Sequence, residues 1–112
     1  MSSAKEAMET GSTLIPLEEL ERVTPMLRAV AHPVRLRILD YLRHEGEPRT
    51  VSAIEQACGV QQAVVSQQLR ILKDQGVLVA QRRGNFVFYD ISAPSVFLVL
   101  DCIRNHTACN SV

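Results

Sequence analysis

Residues 49–76, RTVSAIEQACGVQQAVVSQQLRILKDQG, and the segment VLVAQRRGNFVFYDI that follows them decide the fold of this chain. The pattern predicts two helices separated by a short turn, followed by a two-stranded hairpin with a basic tip. A helix-turn-helix places its second helix in the major groove of DNA, and a hairpin beside it can reach the phosphate backbone. The stretch therefore predicts a nucleic-acid-binding module.

The first of these two helices is delimited by residues that favour helix ends. Ser52 is suited to the N-cap position, and Glu55 three residues later completes a capping-box pattern. Gly59 permits the left-handed backbone turn that ends many helices, because it has no Cβ. Val60 is apolar, as the corner of a helix-turn-helix must be to sit on the core. Cys58 falls at an apolar core position and is expected to pack there.

The second helix is predicted from about Gln62 to Gln75 and has one apolar and one polar face. Val65, Leu69 and Leu72 recur at i, i+4, i+7 and predict a buried stripe. The polar face carries no acidic side chain, and its amide and guanidinium groups can pair with base edges or phosphates. The predicted DNA contacts on and beside this helix are Gln61, Gln62, Ser66, Gln67, Arg70 and Lys73.

In the predicted hairpin, residues 77–79 begin the first strand and residues 86–89 form the return strand. The loop between them is predicted over residues 81–85. Gly84 and Asn85 tolerate the positive φ values of a tight turn. Arg82, Arg83 and Asn85 are the predicted wing contacts, since adjacent arginines at a loop tip can reach a phosphate backbone or a minor groove. For the hairpin alone, a solvated turn with incidental charge is the alternative.

Three separated motifs resemble those of the ArsR/SmtB family of winged helix-turn-helix repressors and occur in the family's order. They are LRAVAHPVRLRIL at residues 27–39, AVVSQQLRIL at residues 63–72 and RGNFVFY at residues 83–89. The resemblance implies a mainly α fold of five helices, with a small β-hairpin wing between the fourth and the fifth. It also implies a homodimeric repressor, joined through its first and last helices, that releases DNA on sensing a metal, an oxidant or another signal.

Length, charge and cysteine count agree with one globular domain. The 112 residues predict a domain over residues 14–108, a mobile tail over residues 1–13 and a C-terminal tail over residues 109–112. Net charge is zero, but residues 61–89 hold four basic side chains against Asp74 alone, so we expect salt-sensitive DNA binding with weak non-specific affinity. No membrane segment, secretion signal or disulfide framework is predicted, and the expected compartment is the cytoplasm.

The first part of the chain predicts the scaffold helices. A helix over residues 17–31 has one apolar face, made by Leu20, Val23, Leu27 and Val30. His32-Pro33 opens the next helix, because proline suits the first helical position. Its predicted core face is Ile38, Leu39 and Leu42. Arg35 and Arg37 lie outside that face, so they are expected to be solvated or to approach the DNA backbone.

The last helix, predicted over residues 93–107, is apolar nearly all round, and it carries Val96, Phe97, Leu98, Val99, Leu100 and Ile103. A terminal helix on a small domain cannot hide such a surface in its own core. Burial against a second copy is the simple solution and predicts a two-fold homodimer. The two recognition helices would then face successive major grooves of a near-palindromic operator.

Cys102, His106 and Cys109 are the candidate effector residues, at i, i+4, i+7 of that helix. Thiolate and imidazole suit zinc or arsenic(III), and two thiols also allow redox sensing. Along one helix, the two cysteines are about 10 Å apart, so one ion bridges both only if the helix frays or a partner subunit supplies ligands. The alternatives are a packed Cys102 at the dimer seam and a solvated tail that carries the other two.

Compared with metal-sensing relatives, the chain departs from the family pattern. Their cysteine motif at the start of the helix before the turn is replaced here by TVSA at residues 50–53. Their Asp and His just after the second wing strand are replaced by SAPS at residues 92–95, so only His106 and Cys109 correspond to that site. The cysteine of thiol-sensing relatives in the second helix is replaced by Asp40. The familiar effector sites are thus incomplete.

The sequence therefore predicts a sequence-specific DNA-binding regulator, a repressor that binds as a homodimer and is released by a metal or a thiol-reactive signal. An effector-independent regulator is the first alternative. A protein-interaction module that docks through its last helix is the second. No enzyme is expected, because His32, His44 and His106 are scattered and no nucleophile–base pair or phosphate loop is visible.

Overall fold

The computed structural model describes residues 2–4, 6–7 and 13–110, and the surroundings of side chains within residues 13–107. Five helices make up most of the described chain. They are α1 (Leu17–Val30), α2 (Pro33–Glu45), α3 (Val51–Cys58), α4 (Gln62–Asp74) and α5 (Ser95–Asn110). The strands are β1 (Ser2–Ala4), β2 (Glu6–Ala7), β3 (Arg49–Thr50), β4 (Leu78–Arg83) and β5 (Phe86–Ile91). This element order confirms the predicted five-helix winged helix-turn-helix.

The two predicted tails fall partly outside the described residues. Within the first, β1 and β2 pair with each other in antiparallel fashion, and the predicted mobility of residues 1–13 stays a prediction. At the other end, α5 continues to Asn110, beyond the predicted helix end at residue 107. Residues 111–112 of the predicted C-terminal tail lie outside the described residues.

The wing, residues 78–91, belongs to a three-stranded antiparallel sheet of order β3-β5-β4, and the predicted two-stranded sheet was therefore incomplete. Arg49 pairs with Tyr89 and Thr50 with Phe88. A two-residue strand carries no detectable alternation, so its sequence does not reveal it. The predicted loop over residues 81–85 was too long, because strand pairing continues to Arg83 and Phe86 and leaves a two-residue turn at Gly84 and Asn85.

The predicted cap of α3 was wrong by two residues. Thr50, not Ser52, is the N-cap, and its hydroxyl accepts a hydrogen bond from the backbone N–H of Ala53 at 3.3 Å. Ser52 therefore lies inside the first turn of the helix. Gly59 ends α3 in the left-handed conformation with φ 68°, as predicted. The start of this helix is set by β3, because strand pairing holds Thr50 in the extended conformation that an N-cap needs.

A tight helix end places the wing directly after α4. The N–H of Gly76 donates to the carbonyl of Lys73 at 3.0 Å, and the N–H of Val77 donates to that of Leu72 at 2.9 Å. This pair of bonds is the Schellman motif, which needs a left-handed residue, and Gly76 has φ 76°. The chain is thereby turned straight into β4, so helix and wing are held in a defined relative position.

The core contains the residues predicted for α2 and α4. Ile38, Leu39 and Leu42 of α2, and Val65, Leu69 and Leu72 of α4, are fully or almost fully buried. Cys58 is buried among them as predicted, and burial raises the pKa of its thiol, with a smaller opposing effect from the charge of Arg37. Cys58 is therefore a packing residue.

Arg35 is half-buried rather than solvated, whereas Arg37 is exposed as predicted, and both guanidiniums also bond to neighbouring helices. The Nε of Arg37 donates to the carbonyl oxygen of Cys58 at 3.0 Å and ties α2 to the end of α3. The Nε of Arg35 donates to the Oε1 of Gln68 at 2.6 Å, and its guanidinium also donates to the carbonyl of Ala29 at 3.1 Å. The hydrophobic pattern of α2 does not show which charged side chains reach neighbouring helices.

The apolar faces of α1 and α5 remain open. Val30 of α1 is buried, but Leu20 and Leu27, which were predicted on the same face, are 42% and 43% exposed. In α5, Val96 and Leu100 are buried, whereas Leu98 is 72% exposed. The first and last helices therefore present apolar surface that this protomer alone does not cover.

Two ion pairs hold α5 against α2. Arg43 contacts Asp101 at 2.7 Å, and Arg104 contacts Asp40 at 2.7 Å. The guanidinium of Arg43 holds the pKa of the Asp101 carboxyl below its usual range through a side-chain hydrogen bond.

Within the described residues, no helix is both long enough and apolar enough to span a membrane.

Candidate nucleic-acid interface

The polar face of α4 forms one side of an open surface. Ser66, Gln67, Arg70 and Lys73 are exposed, while the apolar stripe on the other side of the helix is buried. These four side chains line a depression between α4 and the wing, together with Ala63 and Tyr89. The structure thus brings together four of the residues predicted from sequence. Their donors and acceptors are of the kinds that pair with base edges and phosphates.

Gln61 and Gln62 lie at the N-terminal end of α4, outside this depression. Gln61 is the N-cap residue and makes no side-chain capping bond, and both side chains are exposed. In helix-turn-helix proteins, the N-terminal residues of the recognition helix contact base edges. The two amides are therefore placed at the end of the helix that would enter the groove first.

Tyr89 is a candidate interface residue that the sequence analysis missed. It lies on β5, packs against the edge of the core, and lines the same depression as Arg70 and Lys73. Its hydroxyl can donate a hydrogen bond to a phosphate oxygen. Strand alternation places Tyr89 on one face of β5 with Val87 and Ile91, but the local pattern does not show that this face meets α4.

The two wing arginines lie on opposite faces of the hairpin. Arg82 pairs across the ladder with Val87, which places it on the face that carries Tyr89. Arg83 pairs with Phe86 and lies on the other face, where its guanidinium stacks 4.9 Å from the centre of the Phe88 ring. Both arginines are exposed. The wing can therefore present a positive charge on either side of its tip.

The charge around this surface is mostly positive. Arg70 and Lys73 on α4 and the two wing arginines are opposed by Asp74, at the end of α4, and by Asp90. Asp90 pairs with Val79 and lies on the face of the wing opposite Tyr89. Asn85 is exposed in the turn at the tip. The side of the depression formed by α4 and Tyr89 is thus lined without a carboxylate.

The predicted effector residues lie on α5, and those that the structure describes do not form a complete metal site. Cys102 and His106 are exposed, and the side chain of Cys109 lies outside the described residues. No group of three or more His, Cys, Asp and Glu side chains that could hold a metal ion occurs in the described part of the chain. Asp40, which replaces the second-helix cysteine of thiol-sensing relatives, is paired with Arg104. Within one protomer, the described residues therefore do not fit a metal ion.

A helix-turn-helix followed by a β-hairpin that flanks its second helix defines the class of winged helix-turn-helix proteins. A family model described as a helix-turn-helix domain matches residues 30–81. The HTH-type transcriptional regulator NmtR of Mycobacterium tuberculosis is 33% identical over 101 residues, which cover 90% of this chain and 82% of NmtR. The chain belongs to the ArsR/SmtB family of transcriptional regulators.

Solved structures show the same architecture. The antimony-specific transcriptional repressor AntR superposes with a TM-score of 0.75 and 32% identity, over 85% of this chain and 87% of AntR. The homodimeric winged helix-turn-helix DNA-binding domain of Mb0332 from Mycobacterium bovis superposes with a TM-score of 0.67 and 29% identity. That match covers 82% of this chain and 83% of the other.

Proposed function

We propose that this protein is a DNA-binding transcriptional repressor that binds a near-palindromic operator as a homodimer. The observation that carries the proposal is the depression between α4 and the wing, which is lined by Ser66, Gln67, Arg70, Lys73 and Tyr89. A helix with exposed amide and basic side chains, beside a hairpin with exposed arginines, offers the hydrogen-bonding groups and positive charge that base edges and phosphates require. The role is regulatory, in line with NmtR, a transcriptional regulator, and AntR, a transcriptional repressor.

The contacts divide by position. Gln61, Gln62, Ser66 and Gln67 lie toward the N-terminal half of α4 and are assigned to base edges. Arg70 and Lys73 lie in the C-terminal half and are assigned to a base or to the flanking phosphates. The wing residues Arg82, Arg83 and Asn85 are assigned to the backbone or an adjacent minor groove.

The homodimer is supported by the exposed apolar faces of α1 and α5. Leu20 and Leu27 on α1, and Leu98 and Ile103 on α5, are each more than two fifths exposed in the protomer. Such faces on a small domain are covered most simply by a second copy with two-fold symmetry. The Mb0332 domain, which has the same fold, is homodimeric. Two-fold symmetry in the protein requires an operator with matching half-sites.

The signal that releases DNA is the finer part of the proposal. AntR is an antimony-specific repressor, and Cys102 of this chain is exposed on α5 in the same family fold. A soft metal, a metalloid such as arsenic(III) or a thiol oxidant would act on Cys102 with His106 or Cys109, and a second subunit would complete any ligand set. As a DNA-binding regulator, the protein is assigned to the cytoplasm.

Fluorescence anisotropy of the purified, reduced protein on DNA from upstream of its own gene tests this function. Saturable, salt-dependent binding is expected, followed by release on addition of zinc, arsenite or a mild oxidant. Cys102→Ser and Cys109→Ser then show whether either thiol is needed for release. Both variants retain Cys58, which is buried in the core. Binding that ignores all three agents would indicate an effector-independent regulator. Absence of binding at low salt would favour a protein-interaction module.

A further inference from the structure

Gln68 is the one buried polar side chain among residues 13–107, with 8% of its surface exposed. It lies on α4 between the buried Val65 and Leu72, where the core would accept an apolar side chain. A buried amide destabilises a protein unless it is hydrogen-bonded. Here the Oε1 of Gln68 accepts a hydrogen bond from the Nε of Arg35 at 2.6 Å. The amide is thus tied to a specific partner on α2.

The same guanidinium also reaches the end of α1. One terminal nitrogen of Arg35 donates to the carbonyl oxygen of Ala29 at 3.1 Å. That carbonyl is among the last four of α1, which have no N–H partner further along the helix. Because the guanidinium is planar and its donors have fixed directions, two bonds from one group constrain the positions of both partners. Arg35 therefore links α1 and α4 through α2.

The two helices that Arg35 joins have different tasks in the proposed function. The α1 helix presents Leu20 and Leu27, which are exposed in the protomer and assigned to the partner subunit. The α4 helix presents Gln67 and Arg70 at the surface that the proposed function assigns to DNA. An apolar pair could fill the same space, but apolar contacts are non-directional and allow helices to slide. A directional polar link suits a part of the molecule whose geometry must be reproduced in both subunits.

We propose that Arg35 and Gln68 are positioning residues that set the placement of the recognition helix relative to the dimer interface. Through this placement they determine which spacing of operator half-sites the dimer reads. In dimeric helix-turn-helix proteins, the two recognition helices contact half-sites roughly 34–36 Å apart, so a small rotation of α4 in each subunit changes the preferred spacing. The inference rests on the proposed function, since it assumes that the chain binds DNA as a dimer.

The test is a half-site spacing series. An operator is first selected from random-sequence DNA with the wild-type protein, and its two half-sites are then moved by one and two base pairs in each direction. Gln68→Met keeps the side-chain length and removes the acceptor, and Arg35→Lys keeps the charge but cannot bond both partners in one plane. Arg37→Lys is the matched control, because it loses a similar bond from the same helix, to Cys58 rather than to α4 or α1.

Wild-type protein and Arg37→Lys should bind the selected spacing at least about tenfold more tightly than spacings one base pair away. In Gln68→Met and Arg35→Lys, this preference should fall to about threefold or less, or shift to a different spacing, even where the melting temperature is unchanged. An unaltered spacing preference in both folded variants would overturn the inference while leaving the proposed function intact. If the wild-type protein selects no DNA, the proposed function fails and the inference fails with it.

Discussion

At the scale of single residues, the candidate nucleic-acid interface consists of polar side chains that are exposed because their apolar neighbours on α4 are buried. Leu69 and Leu72 are buried, and this burial turns Arg70 and Lys73 outward beside the wing. Tyr89 joins them from another element, although it is far away in sequence. The side chains of Arg70 and Lys73 can be removed without opening a cavity in the core, so substitutions there test binding rather than folding.

Arg70→Ala should weaken operator binding by about 1–3 kcal/mol, or roughly fivefold to 150-fold, because a base or phosphate contact of the recognition helix is lost. Anisotropy titration on the operator measures the loss. Arg22→Ala is the control, since Arg22 is an exposed arginine on α1 that pairs with Glu19. Equal affinity of Arg70→Ala and the wild-type protein would contradict the assignment of α4 as the recognition helix.

Tyr89→Phe should reduce operator affinity about threefold to tenfold, because only a hydroxyl donor is lost and the ring keeps its place against the core. A neutral donor releases no counterion, so the slope of log affinity against log salt should stay as in the wild-type protein. Tyr41→Phe, on a tyrosine that packs against the core from α2, is the matched control. An unchanged affinity for Tyr89→Phe would remove Tyr89 from the interface.

At the scale of elements, strand pairing decides where α3 begins and how the wing presents its side chains. The third strand, β3, leads directly into α3, so the residue that ends the strand also caps the helix. On the wing, the ladder register sends Arg82 and Arg83 to opposite faces. The cap at Thr50 is visible only when the sheet is assembled, whereas the opposite placement of the two arginines follows once both are known to lie in β4. Both features can be tested by substitution.

Thr50→Ala should lower the free energy of unfolding by about 1 kcal/mol, because the N-cap hydroxyl that accepts from Ala53 is lost. Ser52→Ala is the comparison and should have little effect, since Ser52 lies within the first turn. Urea denaturation followed by circular dichroism measures both. A larger loss for Ser52→Ala than for Thr50→Ala would indicate that the capping box at Ser52 forms in solution.

Arg83→Ala should lower affinity for all DNA sequences alike and reduce the salt slope by about 1, as expected for a lost phosphate contact. Arg83→Lys keeps the charge and should retain the slope, although it loses the planar stacking on Phe88. Anisotropy at several salt concentrations, on operator and on unrelated DNA, distinguishes the two. If Arg83→Ala has the wild-type slope, the wing does not contact the backbone through this side.

At the scale of the whole molecule, the protomer leaves apolar surface on its first and last helices and positive charge on α4 and the wing. The net charge of the chain is zero, so affinity for DNA depends on where the charges lie rather than on their sum. Two copies joined through α1 and α5 would bring two such surfaces to the same side of one duplex. Dimerisation and DNA binding are therefore expected to be linked.

Leu98→Glu should convert the dimer into a folded monomer and lower operator affinity by at least about tenfold, because a charge is placed on an apolar surface that needs a partner. The protomer should stay folded, since Leu98 is 72% exposed within it. Analytical ultracentrifugation and anisotropy measure the two effects. Asn105→Glu is the control, because it adds the same charge at an exposed polar position of the same helix. If the protein stays dimeric with Leu98→Glu but becomes monomeric with Asn105→Glu, the dimer interface does not lie at Leu98.

How much of the interface was predictable differs from residue to residue. Ser66, Gln67, Arg70 and Lys73 were predicted correctly to share one exposed face, because helical periodicity alone places them there. Tyr89 was missed, since its place beside α4 depends on a contact between elements. The cap at Thr50 was missed for the same reason, because β3 pairs with a strand far along the chain.

The sequence by itself determined the order of elements, the buried stripes of α2 and α4 and the tight turn of the wing, because these follow from local periodicity and from glycines that adopt positive φ. The tertiary structure decided the bonds by which Arg35, Arg37 and Gln68 link neighbouring helices. It also decided which face of the wing each arginine occupies. These features depend on distances between residues that are remote in the chain, and local patterns carry no information about such distances.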